Sequence, residues 1–293
     1  QLDLPSFTKS GVIARLWDEV TKRFNTPDLK LKRARELVPK KQEIPRDTTL
    51  KGVDAEIQEA SIKKFEGNRE QIVSEYLKNN GKIINVDEAR KLFSDVGYTG
   101  SNSAAVHEAS SALAKESFDK ALKNEGKNAI LLGGGSGSGK TTAVRNIPQF
   151  KEAIKDSAAI LDGNLSNYDS ALANIEKIEA AGKNPITIFV YREIDDAFLN
   201  GVVKRMLENT DEMGRLVPTK VVAGNHVNSW KVASRLKEEG KKVYFIDNSL
   251  GKQKAKLSTL DSLKGKIKYQ SVEELTARLN NVVKKLYGEG KIT

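Results

Sequence analysis

The 293-residue sequence contains no cysteine and only two histidines, His107 and His226. Without cysteine the chain has no disulfide, no thiolate nucleophile and no cysteine-based zinc site. Two histidines also argue against a histidine-rich metal centre. No apolar run approaches the roughly 20 residues that cross a bilayer, and no signal-peptide pattern is present. These absences predict a soluble, cytoplasmic protein without a membrane partner.

Charged residues are plentiful, with 49 Lys and Arg against 39 Asp and Glu and a net charge of +10. A basic balance is typical of proteins that bind nucleic acid or another anionic surface. Here the basic residues are scattered along the chain, and aromatic residues make up only 6% of it. We therefore expect the charge to serve solubility and phosphate binding, and nucleic acid is not the expected partner.

The pattern of apolar residues divides the chain into two regions. Up to about residue 125, spacings of three and four predict helices, for example in "SGVIARLWDEVTKRF", "NVDEARKLFSDV" and "SAAVHEASSALAKESFDKALKN". No strand is expected before residue 128. We predict a helical N-terminal region over residues 1–80 and an α/β domain over 81–293, which includes the helices within 86–125.

Four buried strands are expected from residue 128 onward, at "NAILLGGG", "SAAILDGN", "PITIFVYRE" and "KKVYFIDN", with "KIKYQS" as a candidate fifth. Apolar strands that alternate with helices indicate a parallel sheet covered by helices on both faces. Ligands bind at the carboxyl ends of such strands, where Asp162, Arg192 and Asp247 are found. The last helix should begin at Ser271, a capping residue with Glu274 three positions on.

The segment "GGSGSGKT" matches the phosphate-loop pattern G-x-x-x-x-G-K-[ST] and is flanked by a predicted strand and a predicted helix. Glycines allow backbone N–H groups to converge on a phosphate, and the helix adds its positive end. Lys140 supplies a charge for the outer phosphates, and the Thr141 hydroxyl is a ligand for Mg²⁺. The residues predicted to bind ATP or GTP are Gly134, Gly135, Ser136, Gly137, Ser138, Gly139, Lys140, Thr141 and Thr142.

The remaining motifs favour a small kinase over a motor or a GTPase, because the GTPase base-recognition motif N-K-x-D is missing. Small kinases close an arginine-bearing lid over the phosphates. Arg205 and Arg215 are the candidate lid arginines, and the alternative is that both are surface residues. Asp162 ends the strand after the loop, where it can accept the proton of an acceptor hydroxyl, hold Mg²⁺, or simply cap a turn.

Seven motifs in order resemble the zeta toxin family of phosphate-loop kinases, in a branch found in phage and mobile-element proteins. They are "NVDEARKLF", "AAVHEASSALAKE", "LLGGGSGSGKTTAV", "ILDGNLSNYDSA", "FVYRE", "GRLVP" and "IDNSLG", within about residues 80–251. The resemblance implies a Mg²⁺-dependent kinase for a hydroxyl of a small metabolite, either a nucleotide sugar such as UDP-N-acetylglucosamine or a nicotinamide dinucleotide. It implies catalytic roles for Lys140, Arg205 and Arg215, and action in a bacterial cytoplasm.

Several alternatives stay open at this point. Asp162 resembles either of two acidic residues of the family, and a second acidic strand end is not visible in the sequence. The candidate acceptor-binding residues are His107, Glu108, Asn164 and Arg192, whereas His226 and Trp230 are expected to be packing residues. The competing functions are a polynucleotide or RNA kinase and a nucleotide-binding module without catalysis. The N-terminal region could mask the site in the manner of an antitoxin, dock a partner, or act as a scaffold.

Overall fold

The computed structural model describes residues 43–208, 217–251 and 254–292. Residues 45–293 form one of the two compact units into which the chain divides. The predicted helix at "SGVIARLWDEVTKRF" and the lid candidate Arg215 lie outside the described residues. The predicted domain boundary after residue 80 stays a prediction.

A six-stranded sheet forms the centre of this unit, with the order β1-β3-β2-β4-β5-β6. All neighbouring strands pair in parallel except β5 and β6, which pair antiparallel. The strands are β1 (Ile83–Asn85), β2 (Asn128–Gly133), β3 (Ser157–Asp162), β4 (Asn184–Tyr191), β5 (Val243–Asp247) and β6 (Lys256–Ser258). From β2 the chain goes to β3 on one side and then to β4 on the other. The strand order therefore reverses at β2, and ligands of open parallel sheets bind at such a point.

Helices connect and cover the strands. They are α1 (Val53–Gly67), α2 (Arg69–Asn80), α3 (Val86–Arg90), α4 (His107–Ala121), α5 (Lys140–Arg145), α6 (Lys151–Lys155), α7 (Tyr168–Ala180), α8 (Ile194–Ala197), α9 (Lys204–Glu208), α10 (Thr219–Glu238), α11 (Leu260–Lys264) and α12 (Val272–Gly288). A π-helical segment, Phe198–Val203, lies between α8 and α9. The predicted α/β fold with a mostly parallel sheet is thus confirmed. In the part of the chain that the structure describes, no helix has the length and apolar composition needed to cross a membrane.

Successive residues of a strand point to opposite faces of the sheet. Consecutive residues of β2 and β4 are buried, so both faces of the sheet are covered. On one face Ile130 of β2 and Ile188 of β4 pack with Val144 of α5 in a single apolar cluster. On the other face the rings of Phe189 and Phe245 pack against Trp230 of α10, with centroids 5.8 and 6.1 Å from that indole. The prediction that Trp230 is a packing residue is confirmed.

Two strands differ from the sequence-based expectation. β1 lies well before residue 128, so the expectation of no earlier strand is wrong. Its three residues pair with β3, on the side of that strand opposite β2. The buried Tyr76 hydroxyl donates to the Asn85 carbonyl (2.9 Å) and accepts from the Asn85 N–H (2.7 Å). Tertiary pairing therefore creates a strand too short to give a period-2 pattern.

The candidate strand "KIKYQS" is also wrong: Lys266 lies in a turn, residues 267–271 form an irregular connection, and the last strand of the described residues is β6. The Tyr191 hydroxyl donates to the Lys266 carbonyl (3.0 Å), and Lys266 Nζ lies 2.5 Å from Asp247 at the end of β5. These contacts hold the segment beside the sheet without strand pairing. The predicted cap at Ser271 is confirmed, since its hydroxyl accepts from the N–H of Glu274.

Candidate active site

The glycine-rich loop, residues 134–139, leaves the carboxyl end of β2 and enters α5 at Lys140. Gly134 has φ 141° and Gly137 has φ 76°, in the region that residues with a side chain rarely adopt. A Cβ on Gly137 would lie 2.2 Å from the Ala197 carbonyl oxygen, and one on Gly135 would lie 2.2 Å from the His226 ring. The glycines therefore serve both the turn and its close packing.

Three side chains hold three consecutive carbonyls of this loop. His226 Nε2 lies 3.0 Å from the Ser136 oxygen, Arg192 Nη1 donates to Gly137 (2.9 Å), and Asn248 Nδ2 donates to Ser138 (2.8 Å). A trans peptide directs its N–H opposite to its C=O. The N–H groups of Gly137 and Gly139 therefore point away from these side chains, where an anion can accept them.

His226 is held neutral in this position. Burial lowers its pKa to about 4, and the nearby positive charge of Lys140 lowers it as well. A carbonyl oxygen can only accept, so the Nε2 atom that faces Ser136 carries the ring proton. The expectation that His226 merely packs is incomplete, because the ring also bonds the loop.

Thr141 and Lys140, at the start of α5, meet Asp162 at the end of β3. Thr141 Oγ1 donates to Asp162 Oδ2 (2.8 Å), and Lys140 Nζ lies 3.8 Å from Asp162 Oδ1. The Asp162 side chain is only 8% exposed, and its Oδ1 atom accepts no hydrogen bond. A threonine hydroxyl and a carboxylate are ligands that suit the Mg²⁺ of a phosphate-loop site. One oxygen of this carboxylate accepts no hydrogen bond, so these residues fit that ion. Within the described ranges, no group of three or more His, Asp or Glu side chains is placed to hold a metal, here or at another place.

The predicted lid region begins directly beside the loop. Gly201 of the π-helical segment packs on Gly137, and a Cβ on Gly201 would lie 2.7 Å from the Gly137 Cα. Arg205 follows one turn later, partly buried, and its Nε donates to the Gly201 carbonyl (2.8 Å). Arg205 therefore lies one turn after the residue that packs on the loop, and it is bonded to that residue. Its catalytic role stays a prediction.

The four candidate acceptor-binding residues lie in three places. Arg192 holds the loop and pairs with Asp196 (2.5 Å), and the Asn164 carbonyl accepts from the Gly134 N–H (3.2 Å). His107 and Glu108 begin α4, where His107 Nδ1 lies 3.3 Å from Arg90 Nη2. Their roles toward an acceptor stay predictions. Thr142, predicted to bind the nucleotide, is exposed on α5.

Sequence reasoning missed Asn248 and Asn225. Asn248 is 1% exposed at the end of β5, and Asn225 Nδ2 donates to the Ser136 hydroxyl (3.0 Å). Asn248 ends the predicted strand "KKVYFIDN" and lies in the motif "IDNSLG", but neither signal gave it a role. Asn225 lies within a helix, where nothing in the pattern distinguishes it.

Comparison with models of known protein families gave no match. No protein of curated function is significantly similar to the chain either.

Proposed function

We propose that this protein is an ATP- and Mg²⁺-dependent phosphotransferase of the zeta toxin type, acting on a hydroxyl of a small metabolite. A nucleotide sugar such as UDP-N-acetylglucosamine is the first acceptor to test, and a nicotinamide dinucleotide is the second. The phosphate-loop kinase fold and the bacterial setting are part of this proposal. GTP is the alternative phosphoryl donor.

The observation that carries the proposal is the fixation of the Ser136, Gly137 and Ser138 carbonyls by His226, Arg192 and Asn248. Donors that are already oriented cost no reorganisation when charge develops on a phosphate, which is how such sites stabilise phosphoryl transfer. A glycine turn that served only to connect β2 to α5 would have no use for three buried or partly buried side chains on its outer side.

Asp162 is better suited to the metal than to the acceptor proton. Its Oδ2 atom is already engaged by Thr141, the hydroxyl that ligates Mg²⁺ in such loops, and Lys140 is adjacent. When bound, Mg²⁺ would supply positive charge that neutralises the phosphates. Thr141 and Asp162 would hold it, Lys140 would neutralise the outer phosphates, and Arg205 would approach the transferred group.

The transfer itself replaces one P–O bond with another. The acceptor oxygen bonds to the γ-phosphorus while the bond from that phosphorus to the bridging oxygen breaks, and ADP leaves with the electron pair. The proton of the acceptor hydroxyl passes to a nearby carboxylate. The protein contributes position and charge, which account for most of the catalysis in this class of reaction.

The test is transfer from ATP and Mg²⁺ into a bacterial metabolite extract, read by mass spectrometry, with both candidate acceptors added singly. Lys140→Ala and Asp162→Asn are compared with Lys151→Ala and Asp169→Asn, which make the same changes at exposed positions. We expect a product one phosphate heavier from the wild type and both controls, and none from the two site variants. ATP binding without any product would contradict the kinase and favour a binding module. Preferential phosphorylation of oligonucleotide ends would favour a polynucleotide kinase.

A further inference from the structure

One carboxylate of α8, Asp196, lies behind the arginine that holds the phosphate loop. Its Oδ2 atom accepts from Arg192 Nε (2.5 Å), while Arg192 Nη1 donates to the Gly137 carbonyl (2.9 Å). The guanidinium group is a rigid plane, so an anchored Nε atom restricts where the Nη1 atom can lie. The position of the Gly137 carbonyl therefore depends on a carboxylate outside the loop.

The Asp196 carboxylate is itself fixed by further contacts. Its Oδ1 atom accepts from the side-chain amide of Asn200, in the π-helical segment, at 2.7 Å. Its own backbone N–H donates to the Glu193 carboxylate (3.2 Å), which caps α8. The π-helical segment also packs directly on the phosphate loop. The loop, Arg192 and the π-helical segment thus belong to one network of contacts, with Asp196 at its centre.

Burial makes Arg192 depend on this carboxylate. The Arg192 side chain is only 10% exposed. Its guanidinium group stays charged at any ordinary pH, and a buried charge is costly unless it is paired. Without Asp196, we expect the guanidinium group to turn toward water, and the Gly137 carbonyl to lose its donor.

The neighbouring carboxylates of this segment contact other parts of the protein. Glu193 Oε1 lies 3.2 Å from Lys268 Nζ, and Asp195 Oδ1 accepts from Arg278 Nε (3.1 Å). Asp195 and Asp196 both lie in the first turn of α8, so they interact with the positive end of this helix in the same way. The two aspartates differ in the arginine that each one holds.

We propose that Asp196 is a positioning residue for ATP, which acts through Arg192 to hold the peptide between Gly137 and Ser138 in the orientation that nucleotide binding needs. This inference rests on the proposed function and concerns the nucleotide side of that same site. The peptide connects the N–H groups of Gly137 and Gly139, which lose their common direction if it rotates. The Asp196 charge alone would have the opposite effect, because removing a negative charge beside the loop strengthens the binding of an anion.

The test is equilibrium titration of the full chain with a fluorescent ATP analogue and Mg²⁺. The variants are Asp196→Ala, Asp196→Asn, Arg192→Ala and the double variant with both alanines. Asp195→Ala is the matched control, since it removes the adjacent carboxylate of the same helix. The unfolding midpoint and phosphoryl transfer are measured for every variant. Asp196→Asn keeps an acceptor oxygen for the buried arginine, so it tests the inference even where Asp196→Ala impairs folding.

Hydrogen bonds to charged groups are strong, so we expect Asp196→Ala to raise the Kd for ATP about fivefold or more. Asp196→Asn should raise it less, because the amide oxygen still accepts from the guanidinium group. In the Arg192→Ala background, the further loss of Asp196 should change the Kd by less than about twofold, because no guanidinium group is left to hold. The control should bind ATP within about twofold of the wild type.

Unchanged or stronger ATP binding by Asp196→Ala would overturn this inference and leave the proposed function standing. Equal losses with and without Arg192 would also overturn it, because Asp196 would then act independently of the arginine. An equal loss in the control would do the same, since it would indicate a general effect of α8. No ATP binding by the wild type would contradict the proposed function and this inference together, whereas ATP binding without transfer would contradict the kinase alone.

Discussion

Gly201 packs on Gly137 of the phosphate loop, so we expect that a larger residue at position 201 will weaken ATP binding. The prediction is specific to this structure, because Gly201 lies outside the phosphate-loop motif. A Cβ on Gly201 would approach the Gly137 Cα, O and C atoms at 2.7, 2.8 and 3.1 Å. Carbon atoms in contact prefer about 3.5–4.0 Å. All three neighbours are backbone atoms, so no side-chain rotation relieves the overlap. Either the loop or the π-helical segment must move by roughly 0.5–1 Å.

Overpacking of this kind costs about 1–3 kcal/mol. If the loop yields, its N–H groups leave their positions, and the same free energy appears as weaker nucleotide binding. At 1.4 kcal/mol per tenfold, Gly201→Ala should raise the Kd for ATP by about five- to hundredfold. The assay is equilibrium titration of the full chain with a fluorescent ATP analogue and Mg²⁺, alongside thermal unfolding.

Gly224→Ala is the matched control. This glycine lies in α10, two residues before His226, and an added Cβ there would meet only the Asn228 amide nitrogen at 4.0 Å. The change should stabilise the helix by about 0.5–1 kcal/mol and leave the Kd for ATP within about twofold. Wild-type ATP affinity in Gly201→Ala would refute the argument, as would equal effects of the two substitutions.

Three further predictions follow from buried groups. Asn248→Ala leaves the Ser138 carbonyl without its donor, so ATP affinity should fall about fivefold or more. Asn167→Ala, which removes an exposed helix cap, should leave the ATP affinity measured by titration unchanged. Because the folded pKa of His226, about 4, lies below its unfolded value near 6.5, the unfolded state binds more protons between those values. The contribution of His226 to the free energy of unfolding should therefore be fully present above pH 6.5 and fall by at most about 3 kcal/mol toward pH 4. Urea unfolding of His226→Gln across this range should show a shallower loss of stability. Equal slopes for the wild type and the variant would exclude the histidine as the cause. Phe118→Ala, at a fully buried position of α4, should lower the free energy of unfolding by about 3–5 kcal/mol in the same assay, and a loss below 1 kcal/mol would contradict its place in the core.

The phosphate loop and the four main strands could be predicted because their signals are local. A short apolar run between predicted helices is typical of a buried strand. The loop motif also predicts a strand before it and a helix after it. The meeting of Thr141 with Asp162 also follows from this logic, since Asp162 ends β3 and Thr141 follows the loop at the carboxyl end of the neighbouring β2. The local pattern was sufficient wherever the functional residues and the strand or helix that carries them lie in one stretch of sequence.

Elements that depend on distant partners could not be predicted. β1 is a strand because the edge of β3 and the Tyr76 hydroxyl satisfy its backbone, and neither is visible in the letters "IIN". His226 was assigned to packing because its spacing is helical, while its contact with Ser136 depends on the missing side chain of Gly135. The π-helical segment cannot be told from an α-helix in the sequence, because one extra residue in a turn hardly changes the apolar period.

The double hydrogen bond between Tyr76 and Asn85 determines where this chain can be shortened. A fragment that begins at residue 81 would retain β1 but lose the hydroxyl that satisfies both Asn85 backbone groups. It would also lose α1 and α2, whose buried Phe65 and Tyr76 belong to the core. The tendency of an unsupported edge strand to pair with other chains then becomes a practical hazard. Fragments made to ask whether the N-terminal residues restrain the proposed activity should instead start at residue 45, where the second compact unit begins.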